Sequence, residues 1–225
     1  MTPESVHVYI VNRNRVSCTK RLVEWLLASG TERITIIDND STYPPLLEWY
    51  QSLNGGVAVH QTGENIGPWR AWDLASSMEV EPFVFTDSDV VPPPECPGDL
   101  IGKCLSVLAD APGCDKVGPG LRLDNIPTQN LTQEYFQGQS LHAWESQFWM
   151  RRREGAPCAS FQAPIDTTFA LYSPHGTFSN GWHNIRLDAP YLVEHTPWYV
   201  TKPYSEEELY YRAHANFPGT GHHLS

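Results

Sequence analysis

The chain has 225 residues, of which 40% are hydrophobic, 12% aromatic and 18% charged, and its formal net charge at pH 7 is −11. This length suits one well-packed domain with at most a small extension. The negative charge disfavours nucleic acid and anionic membranes as partners, and the sequence lacks the run of about 18 apolar residues that a membrane span needs.

Two features of the sequence predict a cytoplasmic location. Residues 1–5 do not have the basic and apolar regions of a secretory signal. The five cysteines form no C-x-x-C pair, which is typical of reduced thiols rather than of a disulfide framework or a zinc site.

Short β-forming segments alternate with amphipathic ones over residues 6–92. Strands are predicted at 6–11, 33–37, 57–59 and 83–86, and helices at 18–29, about 44–53 and 69–77. Ser17 is a candidate N-cap of the first helix, and Pro44 and Pro45 suit the first turn of the second. This alternation predicts a parallel α/β sheet with right-handed crossovers.

The second half of the chain has a looser pattern. A helix is predicted at 99–109, a strand at 117–121, and a partly helical aromatic segment at 133–154. The three arginines at 151–153 are interpreted as complementing the C-terminal dipole of that helix, with phosphate binding as the alternative. A short helix is predicted at 206–213, and the paired histidines at 222 and 223 are assigned no role.

Each predicted parallel strand is followed by polar residues. They are Asn12 and Arg13, Asp38 and Asn39, Asn65, and the pair Asp87 and Asp89. The carboxyl ends of parallel strands lie along one edge of the sheet, where ligands bind in open α/β folds. Two carboxylates this close suit a divalent cation that holds phosphate, while the alternative is an ordinary acidic turn.

Four segments in this region resemble those of GT-A glycosyltransferases, in particular the family-2 type. They are, in order, VYIVNRNR at 8–15, IIDNDST at 36–42, NIG at 65–67, and Asp87-Ser88-Asp89, which is similar to the D-x-D motif of that family. The match covers roughly residues 6 to 92. The E-D pair that supplies the catalytic base in many family-2 enzymes is absent, because Ile165 precedes Asp166.

This resemblance implies a GT-A fold, which is a Rossmann-like, mostly parallel α/β sheet flanked by helices, with a small mixed C-terminal part. The chain would form a single domain over 1–225. Residues 1 to about 92 would bind the nucleotide sugar, about 93–204 would form the acceptor and catalytic half, and 205–225 would be a tail.

The resemblance also implies roles for individual residues. The metal, Mn²⁺ or Mg²⁺, would be held by Asp87, Asp89 and His195, and Asp166 would be the catalytic base. Residues expected to bind the nucleotide sugar are Asn12, Arg13, Asp38, Asn65, Asp87 and Ser88.

Three of these assignments have structural alternatives. Asp38 could instead cap the turn before Thr42, Asp166 could cap a turn through Thr167 or Thr168, and His195 could be a hydrogen-bonded core histidine packed on Trp198.

The predicted function is a metal-dependent glycosyltransferase. It would move a hexosyl or deoxyhexosyl group from a UDP- or GDP-linked donor to a hydroxyl of a glycan or other acceptor, with inversion favoured. One alternative is a nucleotidyltransferase that makes the sugar nucleotide, although segment 11–15 lacks the glycines of its usual phosphate loop. The other is a non-catalytic module that binds sugar nucleotides or glycans.

Overall fold

A computed structural model describes residues 1–215 and begins with four strands that alternate with three helices. They are β1 (His7–Asn12), α1 (Ser17–Ala28), β2 (Arg33–Asp38), α2 (Pro44–Ser52), β3 (Val57–Gln61), α3 (Gly67–Ser77) and β4 (Phe83–Asp87). The predicted order of elements is confirmed. The strands run one or two residues further than predicted, so that β1, β2 and β4 reach Asn12, Asp38 and Asp87, whereas β3 ends at Gln61, before Asn65.

Shorter elements make up the rest of the chain. They are β5 (Val90–Val91), α4 (Leu100–Ala109), β6 (Lys116–Leu121), α5 (Thr128–Thr132), β7 (Glu134–Phe136), β8 (Gln139–Ser140), α6 (Leu141–Ser146), β9 (Ser160–Gln162), β10 (Ala170–Tyr172), β11 (Ile185–His195) and α7 (Glu206–His214). Short 3₁₀ helices occupy Pro3–Ser5, Gln147–Trp149 and Thr196–Tyr199. The paired histidines at 222 and 223 lie outside the described residues.

One large sheet organises the fold, in the order β3-β2-β1-β4-β10-β6-β11-β5, with β9 also paired to β11. Strands β3, β2, β1 and β4 are parallel to one another, and β11 is parallel to β6. Strand β10 is antiparallel to both β4 and β6, between which it lies. This mostly parallel sheet with flanking helices confirms the α/β prediction and is consistent with a Rossmann-like, GT-A-type fold.

Both faces of the central strands are buried. Val8 and Ile10 belong to the larger core cluster, which includes the apolar faces of α1 and α4, while Tyr9 and Val11 belong to a second cluster beside α3. Alternate residues of a strand point to opposite faces, so a strand covered on both sides reads as a continuous apolar run. This explains the unbroken apolar character of the segments that predicted the strands.

The N-terminus of α1 is not capped as predicted. Val16 is the N-cap residue, and Ser17 is the first residue of the helix. The carboxylate of Glu207, in α7, accepts hydrogen bonds from the backbone N–H groups of Val16 and Ser17 and from the Ser17 hydroxyl. A distant carboxylate therefore accepts from two N–H groups at this end of the helix that have no partner within it.

The three arginines do not follow a long helix. Helix α6 ends at Ser146 and the next 3₁₀ turn ends at Trp149, so the dipole interpretation is wrong. The Arg151 guanidinium instead lies 4.1 Å from the centre of the Trp182 ring, and Arg153 forms an ion pair with Asp110 at 3.6 Å.

Two further findings concern membrane spans and thiols. Within residues 1–215, no helix is long and apolar enough to cross a membrane. All five cysteines are free, and four of them are buried.

Candidate functional site

The carboxyl ends of β1, β2 and β4 meet at one edge of the sheet, as predicted. Asn12 is opposite Asp38 in the β1–β2 register, and Asp87 is opposite Val11 in the β1–β4 register. The backbone N–H of Ser88 donates to the Val11 carbonyl at 2.9 Å, and Ser88 is buried where the chain leaves the sheet. Three of the predicted site residues are therefore fixed by strand pairing alone.

Asn12 and Asp38 are joined through a tyrosine. The Asn12 amide donates to the Tyr50 hydroxyl at 2.8 Å, and that hydroxyl donates to Asp38 Oδ2 at 2.8 Å. Asp38 Oδ1 accepts from the Ser41 N–H at 2.9 Å. Since Asp38 is only 2% exposed and both its oxygens accept hydrogen bonds, this geometry agrees with the turn-capping alternative.

The loops beside these strands are organised by asparagine side chains. Asn14 Oδ1 accepts from the N–H groups of residues 42 and 43, and Asn39 Oδ1 accepts from the N–H of Ile66 at 2.6 Å. Asn65 Oδ1 accepts from the Gly67 N–H at 3.2 Å, at the start of α3. Asn14 was not among the predicted site residues, although its positive φ of 55° suits asparagine. Arg13, between Asn12 and Asn14, is partly buried.

Asp87 lies at the centre of the site and is surrounded by negative charge. Its carboxylate accepts a hydrogen bond from the Thr167 hydroxyl, and its backbone N–H donates to the Thr167 carbonyl at 3.0 Å. Burial, followed by the charge of Asp89, raises the pKa of Asp87 well above its usual value, and Asp166 adds to the effect. The neutral form of the Asp87 carboxyl group is thereby favoured, and a cation bound close to it would oppose this change.

Asp89 is brought beside His195 by a short antiparallel pairing. His195 is opposite Val90 in the β5–β11 register, and the Thr196 N–H donates to the Asp89 carbonyl at 2.8 Å. His195 Nε2 lies 3.7 Å from Asp89 Oδ1, and its ring packs edge-on against Trp198. Its buried Nδ1 has no hydrogen-bond partner within the described part of the chain.

These side chains fit a divalent cation in part. Within residues 1–215, no three histidine, cysteine, aspartate or glutamate side chains come close enough to enclose a metal. Asp89 and His195 supply one carboxylate and one imidazole at close range, and the carboxyl group of Asp87 lies near Asp89. Such a donor set suits Mg²⁺ or Mn²⁺ when substrate phosphate and water complete the coordination.

Asp166 faces the same crevice from the segment before β10. Its side chain is exposed, and its Oδ1 accepts a hydrogen bond from the Asn180 amide at 3.2 Å. The preceding residue, Ile165, is fully buried and fixes the backbone at this point. The carboxylate is therefore both accessible to a substrate and held by one neighbouring amide.

Helix α7 also reaches the site, which the sequence did not predict. The Arg15 guanidinium lies 3.5 Å from the centre of the Tyr211 ring and forms an ion pair with Glu208. Burial raises the pKa of Tyr211 to about 12. The positive charge of Arg15 opposes this rise, whereas the carboxylates of Asp89 and Asp87 add to it. The only signal in the sequence was the run of acidic residues at 206–208, which can pair with arginines of the N-terminal half.

A polar cavity of about 110 Å³ lies beyond His195. Its wall includes Trp198, which also contacts the His195 ring, together with Tyr135, Tyr204 and Arg212. Tyr135 is half-buried, and burial raises its pKa.

Comparison with known proteins found similarity only at the level of structure. No protein-family model matches the sequence, and no curated protein matches it either. A crystal structure of GalNAc-T7 with UDP, GalNAc and Mn²⁺ is 16% identical, with a TM-score of 0.41, over 52% of this chain and 23% of that one. CMP:2-keto-3-deoxy-manno-octonic acid synthetase complexed with CTP is 12% identical, with a TM-score of 0.37, over 51% of each chain.

A third structure, HddC from Yersinia pseudotuberculosis, is 14% identical, with a TM-score of 0.45, over 75% of this chain and 77% of that one. This chain spans about a quarter of the length of the GalNAc-T7 chain and about half of the length of the synthetase chain.

Proposed function

We propose that this protein is a metal-dependent glycosyltransferase that uses a nucleoside-diphosphate sugar. The observation that carries the proposal is the meeting of Asp87, Asp89 and Asp166, together with His195, at the carboxyl edge of a mostly parallel sheet. Three carboxylates in one crevice repel an anionic ligand that binds alone. They suit an anionic ligand that binds together with a cation, because the carboxylate oxygens can coordinate the cation.

The proposed reaction assigns one task to Asp166. The hydroxyl oxygen of the acceptor forms a bond to the anomeric carbon of the donor sugar as the bond from that carbon to the diphosphate oxygen breaks. The electron pair of the broken bond leaves with the diphosphate, and the hydroxyl proton passes to the Asp166 carboxylate. The exposure of Asp166 supports this role, because a base must contact the acceptor.

Asp89 and His195 are proposed to hold the metal, with Asp87 either joining them or accepting a ribose hydroxyl. A bound Mn²⁺ or Mg²⁺ would offset the charge that develops on the departing diphosphate, as a Lewis acid does. The net charge of −11 is consistent with such neutralisation, since the chain as a whole repels a diphosphate.

The nucleoside part of the donor is proposed to contact the loops that follow β1, β2 and β3. These loops carry Asn12, Arg13, Asp38 and Asn65, with Ser88 supporting the backbone from β4. Because Asp38 is buried and fully hydrogen-bonded, its proposed contribution is to hold the shape of the loop rather than to donate a free carboxylate.

Calorimetric titration tests the donor site. UDP and GDP are titrated with and without Mn²⁺ into the wild type, Asp89→Ala, and Asp73→Asn, an exposed control on α3. We expect one nucleotide to bind only with metal, and binding to be lost in Asp89→Ala and kept in Asp73→Asn. Absence of metal-dependent binding by either nucleotide in the wild type would refute the proposal.

Product analysis then separates the proposal from its alternatives. A glycosyltransferase incubated with sugar nucleotides and hydroxyl acceptors releases a nucleoside diphosphate, and Asp166→Asn should lower that rate by about 10²-fold or more. A nucleotidyltransferase incubated with a nucleoside triphosphate and a sugar 1-phosphate releases pyrophosphate instead. A binding module releases neither product, although nucleotide and metal still bind.

A further inference from the structure

A fully buried lysine lies behind the candidate base. Lys116 is 0% exposed at the start of β6, and its ammonium lies 5.0 Å and 5.5 Å from the ring centres of Tyr172 and Phe178. It donates to the Tyr172 hydroxyl at 3.2 Å and to Asn180 Oδ1 at 3.5 Å, and within residues 1–215 it forms no ion pair. An ammonium buried in this way is costly, and an apolar residue would serve packing better.

The lysine sets the orientation of the Asn180 amide. An ammonium can only donate hydrogen bonds, so the amide oxygen of Asn180 must face Lys116. The amide NH₂ is then directed to the other side, where it donates to Asp166 Oδ1 at 3.2 Å. The three side chains therefore form a relay in which each hydrogen bond has a defined direction.

The loop that carries Asn180 has its own anchors. The Thr177 hydroxyl donates to Asp115 Oδ2 at 2.8 Å, and His183 Nε2 lies 2.9 Å from the same oxygen. These contacts hold the loop between β10 and β11 against the start of β6 without touching Asp166. The loop therefore has anchors other than the contact between Asn180 and Asp166.

We propose that Asn180 and Lys116 are positioning residues for Asp166, with Asn180 holding the carboxylate toward the acceptor and Lys116 fixing the Asn180 amide. This inference rests on the proposed function, because it assumes that Asp166 accepts the acceptor's proton. The electrostatics agree with Lys116 being close to Asp166. Burial lowers the pKa of Lys116 to about 8, and Arg186 adds to this change. The carboxylates of Asp166 and Asp115 oppose it.

Kinetics on four variants test the relay, with Thr177→Ala as the control that loosens the same loop. For the sugar nucleotide and acceptor that the wild type turns over, we expect Asn180→Ala and Asn180→Asp to lower kcat about 10- to 100-fold. The nucleotide Kd in the presence of Mn²⁺ should stay within about twofold, since the donor site is untouched. Lys116→Met should lower kcat about tenfold without lowering Tm, and Thr177→Ala should leave kcat within about twofold.

A double-variant cycle distinguishes positioning from a general structural role. If Asn180 acts through Asp166, adding Asn180→Ala to Asp166→Asn should cause no further loss of kcat. Wild-type kcat in Asn180→Ala, or equal losses in Asn180→Ala and Thr177→Ala, would overturn this inference while leaving the proposed function intact. Undiminished kcat in Asp166→Asn, or no release of nucleoside diphosphate by the wild type, would overturn the assignment of the base and the inference with it.

Discussion

The buried Lys116 gives a prediction about stability that can be worked out in magnitude. Its side chain is fully buried, and its pKa of about 8 lies below the usual 10.5 of lysine. That difference corresponds to about 3 kcal/mol of folding free energy that the protonated lysine costs. Lys116→Met removes the charge and keeps a similar volume, at the loss of two hydrogen bonds, to the Tyr172 hydroxyl and to Asn180 Oδ1, worth about 1 kcal/mol each. We therefore expect a net gain of about 1 kcal/mol at pH 7.

The sign of the pH dependence follows from the two pKa values. Below about pH 8 the lysine is protonated in both the folded and the unfolded state, so the full cost applies. Between about pH 8 and 10.5 the unfolded state binds more protons, so the stability of the wild type rises with pH toward that of the variant. By pH 10 only about 1 kcal/mol of that cost remains, so the advantage of Lys116→Met over the wild type should be lost.

Urea denaturation at pH 7, 8.5 and 10 measures this difference, with exposed Lys202→Met as the matched control. At pH 7 the gain of Lys116→Met corresponds to a Tm higher by about 2–4 °C for a chain of this size. The control should change stability by less than about 0.5 kcal/mol at every pH. A variant less stable than the wild type at pH 7, or a difference that does not vary with pH, would refute the reasoning.

Three further substitutions test how the fold supports the site. Gly118→Ala places a Cβ 2.2 Å from the backbone carbonyl oxygen of Phe169, just before β10. We therefore expect urea denaturation to show a free energy of unfolding lower by about 2 kcal/mol or more. The control Gly98→Ala should be tolerated, because no atom lies nearer than 3.5 Å to the added Cβ. Glu207→Ala removes the hydrogen-bond acceptor at the α1 N-terminus and should lower the free energy of unfolding by about 1 kcal/mol, or the Tm by about 2–4 °C. The control Glu206→Ala changes an exposed neighbouring residue and should leave the Tm unchanged. Tyr50→Phe deletes the hydroxyl between the buried ends of β1 and β2 and should cost about 1–2 kcal/mol, and wild-type stability in this variant would show that the bridge is dispensable.

The first half of the fold could be predicted because its signals are local. Apolar runs, prolines at helix starts and polar strand ends each depend on a few adjacent residues, and the parallel sheet follows from their alternation. Asn12, Asp38 and Asp87 meet for the same reason, since strand pairing alone places them. The pairing of Asp89 with His195 was reached through the family resemblance rather than from local pattern.

What the sequence missed depends on contacts between distant segments. Glu207, and not Ser17, is the hydrogen-bond acceptor at the start of α1. Strand β6 starts at Lys116, one residue before the predicted Val117, because a buried lysine in a strand is not expected from a residue type that is usually exposed. The sequence also did not predict the contacts of Asn180 with Lys116 and Asp166, because they join three segments that are far apart in the chain.

The ion pair between Arg15 and Glu208 has a consequence for how the protein is made. Glu208 is synthesised 193 residues after Arg15, which at typical translation rates is about 10 to 40 s later. Until then the first N–H groups of α1 lack the carboxylate that satisfies them, and the side of the site beside Arg15 and Tyr211 is open. The parallel strands can pair early from neighbouring segments, but closing so long a loop is slow and entropically costly. The nascent chain can therefore pair β1 to β4 first, whereas strands β9 to β11 and the rim of the crevice formed by α7 are completed last.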